Sequence, residues 1–334
     1  MKDKVLTISI AAYQVEPYIR QTLDSLMDEE IIDELEIFVV DDGGSDGTLE
    51  IARSYAARYP GSVFPVHKEN GGYGTTVNYS IEHATGKYFK CLDGDDWFDM
   101  QGLKKLVAEL KRIDTDVVVI PYYHGADENA LSLRSMPRMD GEQVIAEMDV
   151  RSLPTIGMWA LCYKTSILRD SGLRMPAHTF YTDQYFATVP FAAARTIRFY
   201  DFPVYCYRVG RDGQSVSRDS RVRHAQQMLD ICLDLCRFAA GQQEEGNPNA
   251  AYIVHRAAGY HITAVRTILL RPVNRQTLDQ LKAYEKACRD ACPDAYERSV
   301  YLNNTSSKVL RVLRMSHFAA YWLLKLLPGG APNF

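Results

Sequence analysis

Short apolar runs alternate with amphipathic segments along the first part of the chain. Apolar runs between polar turns are typical of buried strands, and apolar residues at helical spacing are typical of helices that cover a core. Pro17 suits the first turn of one such helix. This alternation predicts an α/β fold with right-handed crossovers and a mainly parallel sheet flanked by helices. The predicted strands are residues 5–12, 35–40, 62–67, 88–92 and 117–122, and the predicted helices are residues 17–27, 49–58, 75–84 and 101–112.

The regular alternation weakens after about residue 123. Short strands are predicted at residues 158–164, 196–199 and 204–209, and a helix at residues 182–194. Beyond residue 219 the apolar residues recur at helical spacing, which predicts helices alone. We therefore expect an α/β domain in residues 1–218 and a helical C-terminal region in residues 219–334.

Composition and charge narrow the class of protein. The chain has 334 residues, 46% of them hydrophobic, which is enough to bury a core. A formal net charge of -4 argues against a nucleic-acid partner, which would require a basic surface. The 7 cysteines are scattered and odd in number, and no signal peptide is predicted. We therefore expect a cytoplasmic protein with reduced thiols.

The stretch KCLDGDDWFD, residues 90–99, places several carboxylates directly after a predicted strand. Asp93 and Asp95 flank Gly94, and two carboxylates held this close repel each other unless a cation or a proton intervenes. In an open parallel sheet, ligands bind at the carboxyl ends of the strands. A divalent metal with oxygen ligands, Mn or Mg, is therefore the predicted partner of this stretch.

Other motifs fit these residues less well. An EF-hand loop fails because Trp97 and Phe98 stand where an oxygen ligand and a glycine are needed. The stretch GGYGTTV lacks the third glycine of a dinucleotide-binding fingerprint. An alternative role stays open for Asp96 and Asp99: either side chain could simply cap the helix that follows.

The order and spacing of these motifs resemble the family 2 glycosyltransferases. The resemblance extends from residue 9 to residue 217 and is strongest through Asp99. It implies a GT-A (Rossmann-like) nucleotide-sugar binding and catalytic domain in residues 1–218. Residues 219–334 lie outside the resemblance, and acceptor or membrane association stays open for them. The matching segments, in chain order, are SIAAYQVEPYIRQTLDSL, EIFVVDDGGSDGTLEIARSYA, VHKENGGYGTTVNYSIEHATGKYFKCLDGDDWFD, WALCYKTSIL, YTDQYF and YCYRVGRDGQSVS.

The resemblance implies an inverting glycosyltransferase of the hexosyltransferase class. Such an enzyme moves a sugar from a UDP-sugar donor to a hydroxyl of a glycan or lipid-linked acceptor, here in cell-surface polysaccharide biosynthesis. Two alternatives stay open: a catalytically inactive member that only binds a nucleotide-sugar, and a sugar-nucleotide pyrophosphorylase. A pyrophosphorylase would need a basic, glycine-rich loop near the start of the chain to contact the triphosphate. Residues 5–20 are not basic enough to form one.

Site residues follow from the same resemblance. Asp42 matches the carboxylate that accepts a hydrogen bond from the uracil imide N–H. The alternative is that Asp42 only caps a helix or stabilises a turn. Arg208 and Ser215 lie in a stretch that matches a loop closing over the diphosphate, although a solvated surface position is their plainer role. The implied donor-binding residues are Ala11, Tyr13, Glu16, Asp42, Asn70, Gly72, Asp93, Asp95, Arg208 and Ser215.

Asp93 and Asp95 match the DxD motif of the family, in which the first carboxylate lies near the donor sugar and the last coordinates the metal on the diphosphate. Asp183 matches the base that takes the proton of the acceptor hydroxyl, with an ordinary first-turn carboxylate as the alternative. The chain departs from the family at Thr182, where glutamate is usual.

The last part of the chain has its own pattern. Residues 298–334 contain no acidic residue, while lysines and arginines alternate with apolar residues. Two interpretations stay open: an interfacial helix over residues 308–327 on anionic lipid, or a helix packed on the domain. The first would make the protein peripheral at the inner face of the membrane. Homodimer formation is a further prediction.

Overall fold

The computed structural model describes residues 3–153, 155–210, 214 and 217–326. The chain forms two compact units, one from Met1–Glu147 and Ile156–Asp212 and the other from Met148–Thr155 and Gly213–Phe334. The predicted division after residue 218 stays a prediction. Nothing in the sequence pattern indicated that the short segment Met148–Thr155 belongs with the helices.

All of the strands formed by the described residues lie in the first unit. The strands are β1 Leu6–Ala12, β2 Leu35–Asp41, β3 Val63–His67, β4 Tyr88–Asp93, β5 Trp97–Phe98, β6 Val117–Val119, β7 Tyr122–Gly125, β8 Ser132–Arg134, β9 Glu142–Val144, β10 Leu161–Lys164, β11 Thr196–Phe199 and β12 Tyr205–Arg208. The helices of this unit are α1 Glu16–Asp24, α2 Thr48–Arg58, α3 Tyr73–His83, α4 Met100–Leu110, α5 Thr165–Asp170 and α6 Asp183–Phe186, with 3-10 helices at Ile32–Glu34, Ile145–Glu147, Met158–Ala160 and Val189–Ala192.

The second unit is helical. Its described residues contain α7 Arg218–Arg223, α8 Ala225–Glu244, α9 Ala250–Leu269, α10 Arg275–Ala291, α11 Pro293–Ser299 and α12 Thr305–Met315, with 3-10 helices at Val150–Ser152 and Ala319–Leu326. No helix within the described part of the chain is both long enough and apolar enough to span a membrane. All of the cysteines are buried and unbridged.

An eight-stranded sheet forms the centre of the first unit, in the order β3-β2-β1-β4-β10-β6-β11-β9. The first four strands of this order are parallel. Strand β10 is antiparallel to both β4 and β6, β11 is parallel to β6, and β9 is antiparallel to β11. The predicted α/β class with a mainly parallel sheet is confirmed.

Burial explains why these strands could be recognised. Every residue of β2 is buried, because helices cover both faces of a parallel sheet. The buried carboxylate of Glu36 is satisfied locally: it accepts from Thr7 Oγ1 at 2.6 Å and from the backbone N of Thr85 at 2.7 Å. A buried charge is tolerated only with such partners.

The strand register brings three loops to one edge of the sheet. Ala11 of β1 lies opposite Val40 of β2 and Asp93 of β4. The chain then turns at Gly94, whose N donates to the carbonyl of Ala11 at 3.0 Å. A Cβ on Gly94 would lie 2.9 Å from that same carbonyl oxygen, so only glycine lets the acidic stretch approach the end of β1 this closely.

Four predicted elements were wrong in extent. The helix predicted at residues 17–27 already ends at Asp24. The strand predicted at residues 117–122 ends at Val119, because Pro121 cannot donate to the ladder, and Tyr122 begins β7 in a second sheet. Residues 158–160 form a 3-10 helix, so the strand predicted at 158–164 is only Leu161–Lys164. The helix predicted at 182–194 is divided into α6 and a 3-10 helix that contains Pro190.

The second sheet has four strands, in the order β5-β12-β7-β8. Strand β5 directly follows the acidic stretch, and it pairs with β12 through Tyr205–Phe98 and Cys206–Trp97. Helix α4 begins after this strand and is capped by Asp99, whose Oδ2 accepts from Gly102 N at 2.7 Å. The capping role considered for Asp99 is therefore confirmed.

We predict that Gly102→Ala lowers the free energy of unfolding by about 1–3 kcal/mol, the range for an overpacked interior site. A Cβ there would overlap the carbonyl oxygen of Pro203, which belongs to the backbone and cannot rotate away. Chemical denaturation measures the change. Gly61→Ala is the control, because its Cβ would meet no atom of the described residues within 4 Å. Equal stability of the two variants would contradict the prediction.

Candidate active site

Three carboxylates meet in the turn after β4. One oxygen from each of Asp93, Asp95 and Asp96 lies within 4.8 Å of the others. Asp96 is only 1% exposed, and it accepts from Tyr205 Oη at 2.6 Å and from the backbone N of Arg208 at 2.7 Å. Asp93 and Asp95 are part-exposed. Asp96 is therefore used inside the protein, while the other two carboxylates can meet a ligand.

The electrostatics of this turn favour a bound cation. Burial raises the pKa of Asp96 well above its ordinary value, and the charges of Asp93 and Asp95 raise it further. Burial also raises the pKa of Tyr205, followed by the charges of Asp93 and Asp96. Carboxylate oxygens in this arrangement are the ligands that hard divalent ions prefer, so the residues present fit Mn or Mg.

Asp183 lies at the start of α6, and its charge acts on the same tyrosines as the acidic turn. Burial chiefly raises the pKa of Tyr73, and the charges of Asp93 and Asp183 add to the effect. The pKa of Tyr207 is raised by burial and then by the carboxylates of the acidic turn and of Asp183. The placement of Asp183 in one site with Asp93 and Asp95 stays a prediction.

The segment that precedes α6 is hydrogen-bonded to α3 and to the loop after β3. The side chain of Asn78 donates to Met175 O at 2.8 Å and accepts from Met175 N at 3.1 Å. The backbone N of His178 donates to Gly71 O at 2.6 Å. Thr182 is buried, and its Oγ1 has no hydrogen-bond partner among the described residues. The family's usual glutamate is thus replaced by a side chain that does not bond its surroundings.

Asp42 holds the loop that follows β3. Its carboxylate accepts from Lys68 Nζ at 2.6 Å, from Gly71 N at 2.9 Å and from Gly72 N at 2.7 Å. Asn70 Nδ2 donates to the Asp42 carbonyl at 2.8 Å. Gly72 has φ +85, a conformation that other residues rarely adopt. Both carboxylate oxygens of Asp42 already accept hydrogen bonds from the protein. The contact with uracil therefore stays a prediction, and the uracil N–H would have to share one of these oxygens with a protein donor.

The other predicted donor residues lie at the end of β1. Ala11 is part-buried beside Gly94, and Tyr13 is exposed. Glu16 instead holds the start of α2: its Oε2 accepts from Gly47 N at 2.7 Å, and its N donates to Asp46 Oδ2 at 2.9 Å. Its predicted place near the nucleotide stays a prediction.

Arg208 packs against the acidic turn. Its Nε donates to the carbonyl of Asp95 at 2.8 Å, and its guanidinium lies 4.7 Å from the centre of the Trp97 ring and 5.1 Å from that of Tyr18. A diphosphate contact would require the side chain to leave these partners or to share them. Ser215, predicted in the same stretch, lies outside the described residues.

Lys90 is a buried residue that sequence reasoning did not select. Its Nζ donates to the carbonyls of Trp159 at 2.6 Å and Leu161 at 3.1 Å. Burial lowers the pKa of Lys90 to about 8. The bonds attach the start of β10 to β4, and the ring of Trp159 stacks on Tyr207 at 4.8 Å. The available signal was a lysine inside an otherwise apolar strand.

Residues 7–170, close to half of the chain, match the family model described as Glycosyl transferase family 2. The chain belongs to this glycosyltransferase family. The match includes the acidic turn and the Asp42 loop, but it ends before Asp183. The predicted family is therefore confirmed over the segment that contains these two features.

Curated relatives of this family 2 member agree with the match. EpsH of Bacillus subtilis (strain 168) is 26% identical over 220 residues, which is 63% of this chain and 62% of EpsH. The poly(ribitol-phosphate) beta-N-acetylglucosaminyltransferase TarS of Staphylococcus aureus (strain Mu50 / ATCC 700699) is 25% identical over 216 residues, 63% of this chain and 36% of TarS. The chain thus spans less than two thirds of the length of these relatives.

Solved structures support the GT-A fold of this family. The crystal structure of S. aureus TarS 1-349 in complex with UDP-GlcNAc has a TM-score of 0.59 and 19% identity, and the match covers 92% of each chain. The mannosyltransferase PcManGT from Pyrobaculum calidifontis, in complex with GDP-Man and Mn2+, has a TM-score of 0.53 and 17% identity, with 97% of this chain and 87% of that chain covered. The predicted GT-A architecture is confirmed.

We predict that Asp42→Asn loosens the loop of residues 68–72 without unfolding the sheet. The amide cannot accept from all three donors, and each lost charge-assisted bond is worth about 1.5–3 kcal/mol. Hydrogen exchange at Gly71 and Gly72 should therefore accelerate by at least about tenfold. Glu69→Gln in the same exposed loop is the control. Unchanged exchange in Asp42→Asn would show that its charge does not hold the loop.

Proposed function

We propose that this family 2 member transfers a sugar from a UDP-sugar to a hydroxyl of a glycan or lipid-linked acceptor, with inversion at the anomeric carbon. The observation that carries the proposal is the acidic turn, where one oxygen from each of Asp93, Asp95 and Asp96 lies within 4.8 Å of the others, in a chain that matches this family. Inversion requires a base and a leaving diphosphate on opposite sides of the transferred sugar. We assign Asp183 to the acceptor side and the acidic turn to the diphosphate side.

Asp183 is the proposed base. Its carboxylate takes the proton of the acceptor hydroxyl as the hydroxyl oxygen bonds to the anomeric carbon. The bond between that carbon and the diphosphate oxygen breaks on the opposite face, and its electron pair leaves with UDP. The hydrogen bond from Gln184 Nε2 to Asp183 Oδ2, at 2.9 Å, holds the carboxylate in one orientation.

Asp93 and Asp95 are the proposed metal ligands. When a divalent ion is bound there, it supplies neutralisation of the diphosphate charge. Asp96 keeps the turn in shape through Tyr205 and Arg208 and is not needed as a ligand. Asp93, the first carboxylate of the motif, is proposed to lie beside the donor sugar.

The remaining donor contacts follow the loops at the sheet edge. Ala11 and Tyr13 are proposed to pack near the base and ribose, with Glu16 behind them. Asp42 and the Asn70–Gly72 loop are proposed to face the uracil, and Arg208 and Ser215 the diphosphate. The nucleotide-sugars bound by TarS and PcManGT support a donor of this class. We further propose residues 1–218 as the catalytic domain and a role in polysaccharide biosynthesis.

One observation favours a second candidate function. Thr182 replaces the family's glutamate, and its buried hydroxyl has no hydrogen-bond partner among the described residues. A chain that binds a nucleotide-sugar without transferring the sugar would be consistent with this loss. Nucleotide release separates the two functions: protein, Mn and a panel of UDP- and GDP-sugars should release the nucleotide diphosphate from at least one donor. Donor binding without any release would support the inactive member.

We predict that Asp183→Asn lowers the rate of nucleotide release by about 10²–10⁴-fold, the usual contribution of a general base. Donor binding measured by calorimetry should be unchanged, because the base faces the acceptor. Asp170→Asn, an exposed carboxylate in α5, is the control and should retain full activity. Retained release in Asp183→Asn would remove this residue from the mechanism.

We predict that Asp95→Asn weakens donor binding only when Mn is present. The amide keeps the shape of the side chain but loses the charge that binds the ion. Titration of UDP with and without Mn measures the difference. Wild-type protein should show tighter binding with Mn, and the variant should show little gain. An equal gain from Mn in both proteins would place the metal elsewhere.

A further inference from the structure

Helix α12 has one face in the core and another in solvent. Leu310 and Leu313 are buried in the helical unit. Lys308, Val312 and Met315 recur at the spacing of a single helical face, and all three are exposed, Met315 to 76%. Packing on the unit therefore leaves the apolar side chains of Val312 and Met315 in solvent.

A buried ionic cluster fixes the orientation of α12. Arg314 Nε donates to Glu285 Oε2 at 2.6 Å, and the second oxygen of Glu285 lies 2.5 Å from Nε2 of His261, which is fully buried. The Arg314 guanidinium also lies 3.4 Å from the centre of the Tyr296 ring. Rotation of α12 would leave a buried charge without its partner, so the outward face stays outward.

The 3-10 helix Ala319–Leu326 also has both buried and exposed side chains. Tyr321 is fully buried, and its hydroxyl donates to the carbonyl of Asn274 at 3.3 Å. Trp322 and Leu323 are exposed, Leu323 to 62%. Lys325 Nζ lies 5.1 Å from the centre of the Trp322 ring. Apolar side chains and a cation are therefore exposed together on this 3-10 helix as well.

The charge of this segment has one sign. Residues 298–334 contain no aspartate or glutamate, although the whole chain has a net charge of -4. Arg314 is used by Glu285, and the Arg311 guanidinium donates to the Val300 carbonyl at 2.6 Å, but the side chains of Lys308, Arg311 and Lys325 are all exposed and keep their charge at the surface. A partner for this segment should therefore present negative charge together with an apolar interior.

We propose that this C-terminal surface binds an anionic phospholipid membrane from one side, without spanning it. The C-terminal surface is defined as Lys308, Arg311, Val312, Met315, Trp322, Leu323 and Lys325. Exposed apolar side chains enter the boundary between headgroups and acyl chains, and Lys and Arg meet the anionic headgroups.

The chemistry of the surface favours lipid over other occupants. A second copy of the chain would bring like charges of Lys308, Arg311 and Lys325 together, and this repulsion opposes pairing. A nucleic acid would satisfy the cations but leave Met315 and Leu323 unused. An anionic lipid surface satisfies both parts of the C-terminal surface.

Vesicle co-sedimentation of the full chain tests the proposal independently of any transferase activity. Vesicles of phosphatidylcholine mixed with phosphatidylglycerol should bind the protein, and vesicles of pure phosphatidylcholine should bind it at least about tenfold less, because each cation near an anionic surface contributes about fivefold. Added salt should weaken the binding. Equal binding to both kinds of vesicle, or to neither, would overturn the proposal.

Two double variants separate the apolar and charged contributions. Met315→Gln with Leu323→Gln, and Lys308→Glu with Lys325→Glu, should each reduce binding to anionic vesicles by at least about tenfold. These side chains are exposed, so thermal unfolding should be unchanged. Leu133→Gln, at a site 49% exposed in the first unit, and Lys105→Glu are the matched controls and should bind like wild type.

Two further outcomes would show that the C-terminal surface binds a partner other than lipid. If the Met315→Gln, Leu323→Gln double variant abolished a concentration-dependent dimer while vesicles failed to bind, the surface would pair with a second copy. If a labelled oligonucleotide bound more tightly than anionic vesicles, and the charge variants alone removed that binding, the surface would be a nucleic-acid site. Either result overturns the membrane proposal.

Discussion

One buried carboxylate, that of Asp96, holds the acidic turn on which the candidate site depends. It joins the turn after β4 to strand β12 through the hydroxyl of Tyr205 and the backbone N of Arg208. Burial of a carboxylate costs free energy unless hydrogen bonds compensate for lost water, and here two donors do so. Because Asp96 is fixed inside, its neighbours Asp93 and Asp95 are held close together at the surface despite their mutual repulsion.

The parallel half of the sheet could be predicted because each strand carries its own signal. Strands β1, β2 and β4 are apolar runs bounded by polar turns, and their ends differ from the predicted ones by a residue or so. The reversed strand β10 and the second sheet could not be predicted. Their strands pair with partners distant in sequence, as Trp97–Phe98 does with β12, and a two-residue strand has no periodicity to detect.

The candidate site, too, could be predicted only where the signal lies within one segment of the chain. The acidic turn and the Asp42 loop were found because carboxyl ends of parallel strands meet at one edge. The internal duties of Asp96 and Arg208 depend on which partners fold against them, and composition or spacing does not encode those partners. Lys90 shows this most clearly, since its two carbonyl acceptors belong to a segment that begins almost seventy residues later in the chain.

The hydrogen bonds between Asp42 and the loop of residues 68–72 affect the conformational entropy cost of binding a ligand there. Ordering a flexible loop around a ligand costs about 1–2 kcal/mol for each residue whose backbone is fixed. Lys68, Gly71 and Gly72 are bonded to Asp42 within the protein itself, so this cost is borne by folding. Association with a nucleotide would then be limited by diffusion and desolvation at this edge rather than by a search through loop conformations.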